Sequence, residues 1–307
     1  MRKFAYIIVF SSLLLISCAN NQENKQAFYD TPKEGTINIS VDESFKPVIE
    51  QQIQVYQSSY PNTHIIATYK SEVECFKDLD NDSTRLIIVA RGLSNKEAQY
   101  YSDKLAFKPF DDLIAYDAVA LIMNINAKDS VFYYDDIKKI LSGEKNIPAI
   151  MDGNNATSTV RFLQDSILKG GAFGKNVVAS TNGSQGVIDA VSKMENAVGF
   201  IGLSWVGNNQ EQKQIEQLKS IKFALVECVK CDEKDVFAKP SQATLMYGQY
   251  PLARPLYIIV KENALGLGSG FKNFISLERG QLIFRRALLA PGKMSFKKRN
   301  SVIKEQQ

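Results

Sequence analysis

An alternation of β-branched runs with helical patterns limits the fold of this chain more than any other feature. Three short apolar runs have the composition of strands: TINISV at 36–41, HIIATY at 64–69 and LIIV at 86–89. Between the first two, Ile49, Ile53, Tyr56 and Tyr60 recur at helical spacing until Pro61 interrupts the pattern. Strands that alternate with helices predict a parallel sheet covered by helices.

The same alternation continues along the chain. Further strand candidates lie at 118–124, 149–151, 198–201, 223–226 and 256–260. Helical patterns lie between them, for example at 159–169 and 185–194. Because 307 residues exceed what one small core usually organises, we expect two lobes.

The N-terminus has the three parts of a bacterial lipoprotein signal. Arg2 and Lys3 precede an apolar block at 4–16, which ends in the small residue Ser17 before Cys18. The block is too short to span a bilayer. We expect cleavage before Cys18 and lipid on that cysteine; the alternative is a plain secretory signal in which Cys18 is incidental.

Residues 20–34 are polar and without periodicity, which is typical of a flexible tether. Several acyl chains hold a protein stably on a membrane, whereas one holds it only marginally. The sequence therefore predicts a body outside the cytoplasm, on the periplasmic or surface side of the cell envelope, anchored to the membrane through lipid on Cys18.

The charge balance excludes some function classes. The formal net charge is +4, and about +2 remains once Arg2 and Lys3 leave with the signal, which argues against nucleic-acid binding. A basic tail at 291–307, with Lys293 at its start, is interpreted as a solvated end. His64 is the single histidine and lies in a strand-like run, which argues against a hydrolase triad and leaves a zinc site short of ligands. We expect no enzyme activity, no metal and no cofactor.

Three cysteines follow Cys18. Cys228 and Cys231 are separated by two residues, and either a local disulfide or two reduced thiols fits this spacing outside the cytoplasm. Cys75 is left over and is expected to be free.

The loops after the strands hold the candidate binding residues, since ligands of open α/β sheets collect at the carboxyl ends of strands. The candidates are Ser44 and Phe45 after the first strand, Lys70 and Ser71 after the second, and Asn154, Thr157, Ser158, Thr159 and Arg161 in or just after the loop at 152–159. Hydroxyls, free N–H groups and an arginine at a helix start suit an oxyanion. A simple helix cap explains the same hydroxyls, and a second loop at 182–186 has the same ambiguity.

Five segments in a fixed order carry a family resemblance. They are YDAVALIMN at 116–124, ILSG at 140–143, TSTVRF at 157–162, AVGFIG at 197–202 and YPLARPLY at 250–257. Together they resemble the phosphate-binding lipoproteins of Pst-type ABC transporters, over residues 35–289. The turn RGLS at 91–94 is similar to a further motif of that family.

The resemblance implies a periplasmic-binding-protein fold of type 2: two α/β lobes, each a mostly parallel sheet flanked by helices, joined by a two-strand hinge. The crossover strands are expected near 118–124 and near 241–257. The implied organisation is a signal peptide at 1–17, a lipidated tether at 18–34, lobe one at 35–117 plus 244–290, lobe two at 118–243 and the basic tail at 291–307.

The resemblance also implies a ligand and a partner. The ligand is phosphate or a related oxyanion, bound by a monomer in the interlobe cleft and delivered to an ABC permease. Ser44 with Phe45, Ser71, and Thr157 to Thr159 match the family's binding loops. A non-transport lipoprotein on the same fold, acting as an anion sensor or a surface interaction protein, is the alternative.

Two positions depart from the family pattern. Thr84, Arg85 and Leu86 stand where the family has an aspartate that accepts a hydrogen bond from protonated phosphate, and the family's arginine falls near Asp152. The acceptor is therefore expected from Asp42, Glu43 or Asp152, and the positive charge from Arg161 or Lys70.

Overall fold

A computed structural model describes residues 30–154 and 157–293. The predicted signal, the lipid site at Cys18 and most of the basic tail lie outside the described residues. Within the described ranges, no helix has both the length and the apolar character needed to cross a membrane.

The first half of the sheet follows the predicted alternation of strands and helices. The elements in chain order are β1 (Gly35–Asp42), α1 (Lys46–Ser59), β2 (Thr63–Lys70), α2 (Glu72–Leu79), β3 (Thr84–Val89) and α3 (Asn95–Leu105). Strand β1 pairs in parallel with β2 on one side and with β3 on the other. A 3₁₀ turn at Glu43–Phe45 leads from β1 into α1.

One long strand joins the two halves of the sheet. Strand β4 (Phe110–Asn124) is about twice as long as the predicted strand at 118–124. Its first half was missed because Asp111, Asp112 and Asp117 bound a short apolar run at 113–116. The second half contains β5 (Val131–Phe132), α4 (Tyr134–Ser142), β6 (Ala149–Met151), α5 (Ser158–Ser166), β7 (Val177–Ala179), α6 (Gly183–Val191), β8 (Val198–Gly202) and α7 (Gln212–Gln217). Strand β6 is parallel to β7 and β8, and β8 is antiparallel to β4.

The prediction of one continuous strand at 223–226 was wrong. Two short strands lie on either side of Ala224: β9 (Ile221–Phe223) and β10 (Leu225–Glu227). Strand β9 pairs with β4, whereas β10 pairs with β5 and with β11 (Phe237–Ala238). Cys228 and Cys231 form a disulfide just after β10, and Cys75 is free and buried.

The second strand that connects the two halves also begins later than the predicted crossover near 241–257. Residues 242–246 of the predicted crossover form a helix, α8 (Gln242–Met246), and the strand β12 (Ala253–Val260) starts only afterwards. Helices α9 (Leu267–Ser276) and α10 (Glu278–Arg286) and strand β13 (Ala290–Pro291) complete the described chain. The strand order is β2-β1-β3-β12-β4-β8-β6-β7.

The halves of the sheet have separate apolar cores. Ile39, Val41, Phe271 and Phe284 belong to the core of the first half, and Phe200 belongs to that of the second. The junction between them is where β4 and β12 pair, and the loops that follow β1 and β6 contact each other beside it. The lobe boundaries given above stay a prediction.

Candidate functional site: a hydroxyl cluster at the junction of the two halves

Ser44 is held rigidly in the turn after β1. Its backbone N–H donates to Asp42 Oδ1 at 2.9 Å, so Asp42 caps the 3₁₀ turn. Its carbonyl oxygen accepts from Ser204 Oγ at 3.0 Å, and Ser204 belongs to the second half. The neighbouring Phe45 is fully buried. The Ser44 main chain is therefore held in place, and its side chain is excluded from water.

The loop before α5 is organised around Asp152. Thr157 caps the helix, since its hydroxyl accepts from the N–H of Val160 at 3.3 Å. Asp152 accepts from Thr157 Oγ1 at 2.9 Å and from Thr159 Oγ1 at 2.6 Å. The hydroxyl groups at the start of this helix therefore have two roles: they cap the helix, and they donate hydrogen bonds to a buried carboxyl group.

Three buried hydroxyls from the two halves meet, and we call Ser44, Ser158 and Thr159 the hydroxyl cluster. Ser44 Oγ lies 3.2 Å from Thr159 Oγ1 and 3.4 Å from Ser158 Oγ. It also donates to Asp152 Oδ2 at 3.2 Å. All three side chains are fully buried. Residues that are more than 100 positions apart in sequence are therefore in hydrogen-bond contact.

A buried arginine supplies the positive charge of the cluster. Arg254 on β12 donates from Nη1 to Ser158 Oγ at 3.0 Å and to Thr159 Oγ1 at 3.3 Å. Its Nε donates to Asp117 on β4 at 2.9 Å, and both side chains are at most 1% exposed. Its guanidinium group also lies 5.0 Å from the ring centre of Phe45. Within the described ranges Arg254 Nη2 and Asp117 Oδ1 have no hydrogen-bond partner.

Arg254 and Asp117 were missed as site residues although a signal was present. Each is a charged residue in an otherwise apolar run, in ARPLYIIV and AYDAVALIM respectively. A charge buried in such a strand is costly unless it is paired, so two opposite charges in two such strands indicate a buried pair.

Other predicted site residues lie apart from the cluster. Lys70 pairs with Asp78 at 2.6 Å. Ser71 caps α2 by accepting from the N–H of Glu74, and Asn154 is exposed. Arg161 pairs with the buried Glu72 of α2, with 2.5 Å between Nε and Oε2. Of the expected sources of charge, Lys70 and Arg161 are thus both engaged by carboxylates outside the hydroxyl cluster.

Two carboxylates of the first half contact the second half beside the cluster. Glu72 does so through Arg161. Glu43 accepts from the N–H of Ser184 at 3.2 Å and from its hydroxyl at 3.1 Å, at the start of α6. The indole N–H of Trp205, the only tryptophan, donates to the carbonyl oxygen of Glu43 at 3.3 Å. These contacts hold the two halves together beside the cluster.

The carboxyl groups of the site have displaced pKa values. Burial raises the pKa of Asp42 to about 6, with the charge of Glu72 adding to the effect and that of Arg254 opposing it. Burial raises the pKa of Glu43 to about 7, and Asp152 adds to it. Burial also raises the pKa of Asp152, against the hydrogen bond from Thr159 and the charge of Arg254. No group of three or more potential metal ligands occurs in the described part of the chain.

Comparison with known proteins identifies the family. The sequence profile of the PBP superfamily domain matches residues 27–277. The chain belongs to the PBP superfamily. Among curated relatives, the phosphate-binding protein PstS of Staphylococcus haemolyticus is 25% identical over 248 residues, which are 75% of this chain and 72% of that protein.

Solved structures share the fold of this chain. A Clostridium perfringens protein solved with bound phosphate superposes with a TM-score of 0.67 at 21% identity, over 84% of this chain and 99% of that one. An ABC-type phosphate transport receptor from Vibrio cholerae superposes with a TM-score of 0.60 at 16% identity, over 84% of this chain and all of that one. The expected fold class, a mostly parallel sheet flanked by helices as in type 2 periplasmic binding proteins, is confirmed.

Proposed function

We propose that this protein is an extracytoplasmic lipoprotein that binds phosphate or a related oxyanion at the hydroxyl cluster and delivers it to an ABC permease. Lipid on Cys18 anchors it, and the body acts as a monomer. The relatives named phosphate-binding protein PstS and the phosphate transport receptor of the same fold support this assignment.

One observation carries the proposal. The hydroxyl cluster combines donors from both halves with a buried guanidinium group whose Nη2 has no partner in the described ranges. Hydroxyl groups and a guanidinium group are donors that bind the oxygens of phosphate, and hydrogen bonds to a charged group are about twice as strong as neutral ones. A partnerless buried N–H is costly unless a ligand accepts from it.

Ligand entry requires the two halves to separate. The hydroxyls of the cluster are fully buried, so an anion reaches them only if the contacts between the halves break. These contacts include the Arg161–Glu72 ion pair and the bonds from Ser184 to Glu43. A hinge through β4 and β12, the two strands that connect the halves, permits this motion.

A second candidate is a non-transport lipoprotein that acts as a surface interaction protein, and Asp152 favours it. Its carboxyl group already accepts from Ser44, Thr157 and Thr159, which are donors that an anion would otherwise engage. An internal carboxyl group at this position competes with an external anion. Because the carboxyl group of Asp152 occupies these donors, the two halves can stay in contact without a bound ligand.

Trp205 fluorescence separates the two candidates. The ring is 9% exposed and bonds to the first half through Glu43, so opening of the cleft exposes it to water. For a transport component we expect phosphate to shift the emission to the blue with saturation, while chloride at the same ionic strength does not. An emission spectrum that is already blue and insensitive to phosphate supports the self-closed body and contradicts transport.

A further inference from the structure

Acidic groups outnumber basic groups around the hydroxyl cluster. Within the described residues, the carboxyl groups at or next to it are Asp42, Glu43, Glu72, Asp117 and Asp152, and the guanidinium groups are Arg161 and Arg254. The pairs Arg254–Asp117 and Arg161–Glu72 use both cations. Asp42, Glu43 and Asp152 therefore have no ion-pair partner in the described part of the chain, although an anion is proposed to bind beside them.

Asp42 and Asp152 converge on one residue. Asp42 Oδ1 accepts from the N–H of Ser44 and Asp152 Oδ2 accepts from its hydroxyl, so a carboxyl group from each half contacts Ser44. Both side chains are at most 3% exposed. Asp42 Oδ2 is buried and has no partner in the described ranges. It is an oxygen that could carry a proton and donate to a bound ligand.

The charged groups that face this pair do not neutralise it. Asp42 faces Glu72 of α2, Glu43 of the β1–α1 turn, Arg254 of β12 and Arg161 of α5, and its charge also acts on the buried thiol of Cys75. Asp152 faces Glu43 of the β1–α1 turn and Arg254. Adding an anion to this set increases repulsion, because charges interact strongly where water is excluded. Protonation of one carboxylate removes that cost.

We propose that an oxyanion enters this cleft together with a proton from solvent, which the Asp42–Asp152 pair takes up. This inference rests on the proposed function. One O–H bond forms on a carboxylate oxygen, the proton comes from water or buffer, and nothing is oxidised or reduced. The neutral carboxyl group then donates a hydrogen bond to an oxygen of the anion, where a carboxylate would repel it.

The direction of the pKa displacements agrees with this geometry. Burial already raises the pKa of Asp42 to about 6 and that of Asp152 above its ordinary value, and a bound anion raises both further. Above pH 6 the carboxylate must gain a proton for the anion to bind. The affinity is therefore expected to fall as the pH rises, by about tenfold per pH unit for each proton taken up.

Calorimetry with inorganic phosphate as the probe counts this proton. Titrating the purified protein at pH 7 in two buffers of different ionisation enthalpy gives the protons taken up per phosphate bound. The variants Asp42→Asn and Asp152→Asn are compared with the wild type and with Asp129→Asn, an exposed aspartate that serves as the matched control. Each titration is repeated with sulfate, which remains fully ionised from pH 5.5 to pH 8, so that a proton taken up with sulfate belongs to the protein and not to the ligand.

We expect the wild type and Asp129→Asn to take up more protons per phosphate than either cleft variant, and at pH 8 we expect the cleft variants to bind at least several-fold more tightly. Equal proton numbers in all four proteins, with phosphate bound, overturn the proton coupling and leave the proposed function standing. An absence of phosphate binding in every protein at pH 5.5 and pH 8 overturns the proposed function and the coupling with it. If Asp152→Asn does not fold, Asp42→Asn decides, since an asparagine there can still accept from the N–H of Ser44.

Discussion

Replacing Glu43 by glutamine should stabilise the protein at neutral and alkaline pH. Glu43 is largely buried and accepts two hydrogen bonds from Ser184, yet its pKa is raised from an ordinary 4.5 to about 7, mainly by burial. Because the folded protein binds the proton more tightly than the unfolded chain does, the stability from this group is fully present below pH 4.5 and is lost as the pH rises to about 7. The loss is about 3 kcal/mol, since one pKa unit corresponds to about 1.4 kcal/mol.

The glutamine keeps the contacts without the charge. Its Oε1 can accept from the N–H of Ser184, and its Nε2 can donate to the hydroxyl of Ser184, which rotates to accept. We therefore expect Glu43→Gln to match the wild type in stability below pH 4.5 and to exceed it by up to about 3 kcal/mol at pH 8.

Urea unfolding followed by circular dichroism at pH 4.5, 6 and 8 measures this difference. Glu211→Gln is the matched control, because Glu211 is exposed at the rim of a groove that Glu43 also lines. A stability difference between Glu43→Gln and the wild type that stays constant from pH 4.5 to pH 8 would refute the reasoning, since a lost or gained contact alone does not titrate.

Three further predictions concern the anchor, the buried pair and the motion. Cys18→Ser should abolish incorporation of a fatty-acid label and leave the signal uncleaved by the lipoprotein peptidase; unchanged labelling would show that Cys18 is not the lipid site. Arg254→Gln should destabilise the protein by about 3–5 kcal/mol in urea unfolding, because it leaves the buried Asp117 unpaired, and adding Asp117→Asn should recover part of the loss. Small-angle scattering should show a smaller radius of gyration at saturating phosphate, and identical curves with and without phosphate would contradict closure of a cleft.

The regular elements were predictable because each is determined by local pattern. The run at 149–151 is the strand β6, and the runs at 36–41 and 64–69 differ from β1 and β2 by one residue at each end. The first half of β4 was not predicted in the same way, since Asp111, Asp112 and Asp117 leave it only a short apolar run at 113–116. Its strand conformation comes from pairing with β12, which is more than 100 residues away in sequence.

The candidate site was predictable in part for the same reason. Ser44, Ser158 and Thr159 follow strand ends, where the sequence indicates ligand contacts, and the structure brings them together. The source of charge was assigned wrongly, because Arg161 and Lys70 are each paired with an acidic residue and Arg254 supplies the charge instead. A charge in an apolar run marks Arg254 as a candidate for a buried pair, but not as a neighbour of the cluster. Arg254 reaches the cluster only through the pairing of β4 with β12, and no local motif encodes that register.

Calorimetric titration of the purified protein with inorganic phosphate tests the central claim most directly, with Ser158→Ala, Thr159→Ala and Ser94→Ala in parallel. Ser94 caps α3 and lies outside the hydroxyl cluster, so its variant should lose about 0.5–2 kcal/mol of stability at most and no affinity. The wild type should bind phosphate, and each cluster variant should bind about tenfold or more weakly, because a hydrogen bond to a charged group is worth about 1.5–3 kcal/mol. Binding of equal affinity in all four proteins, or no binding heat in any, would contradict the assignment of the hydroxyl cluster as an oxyanion site.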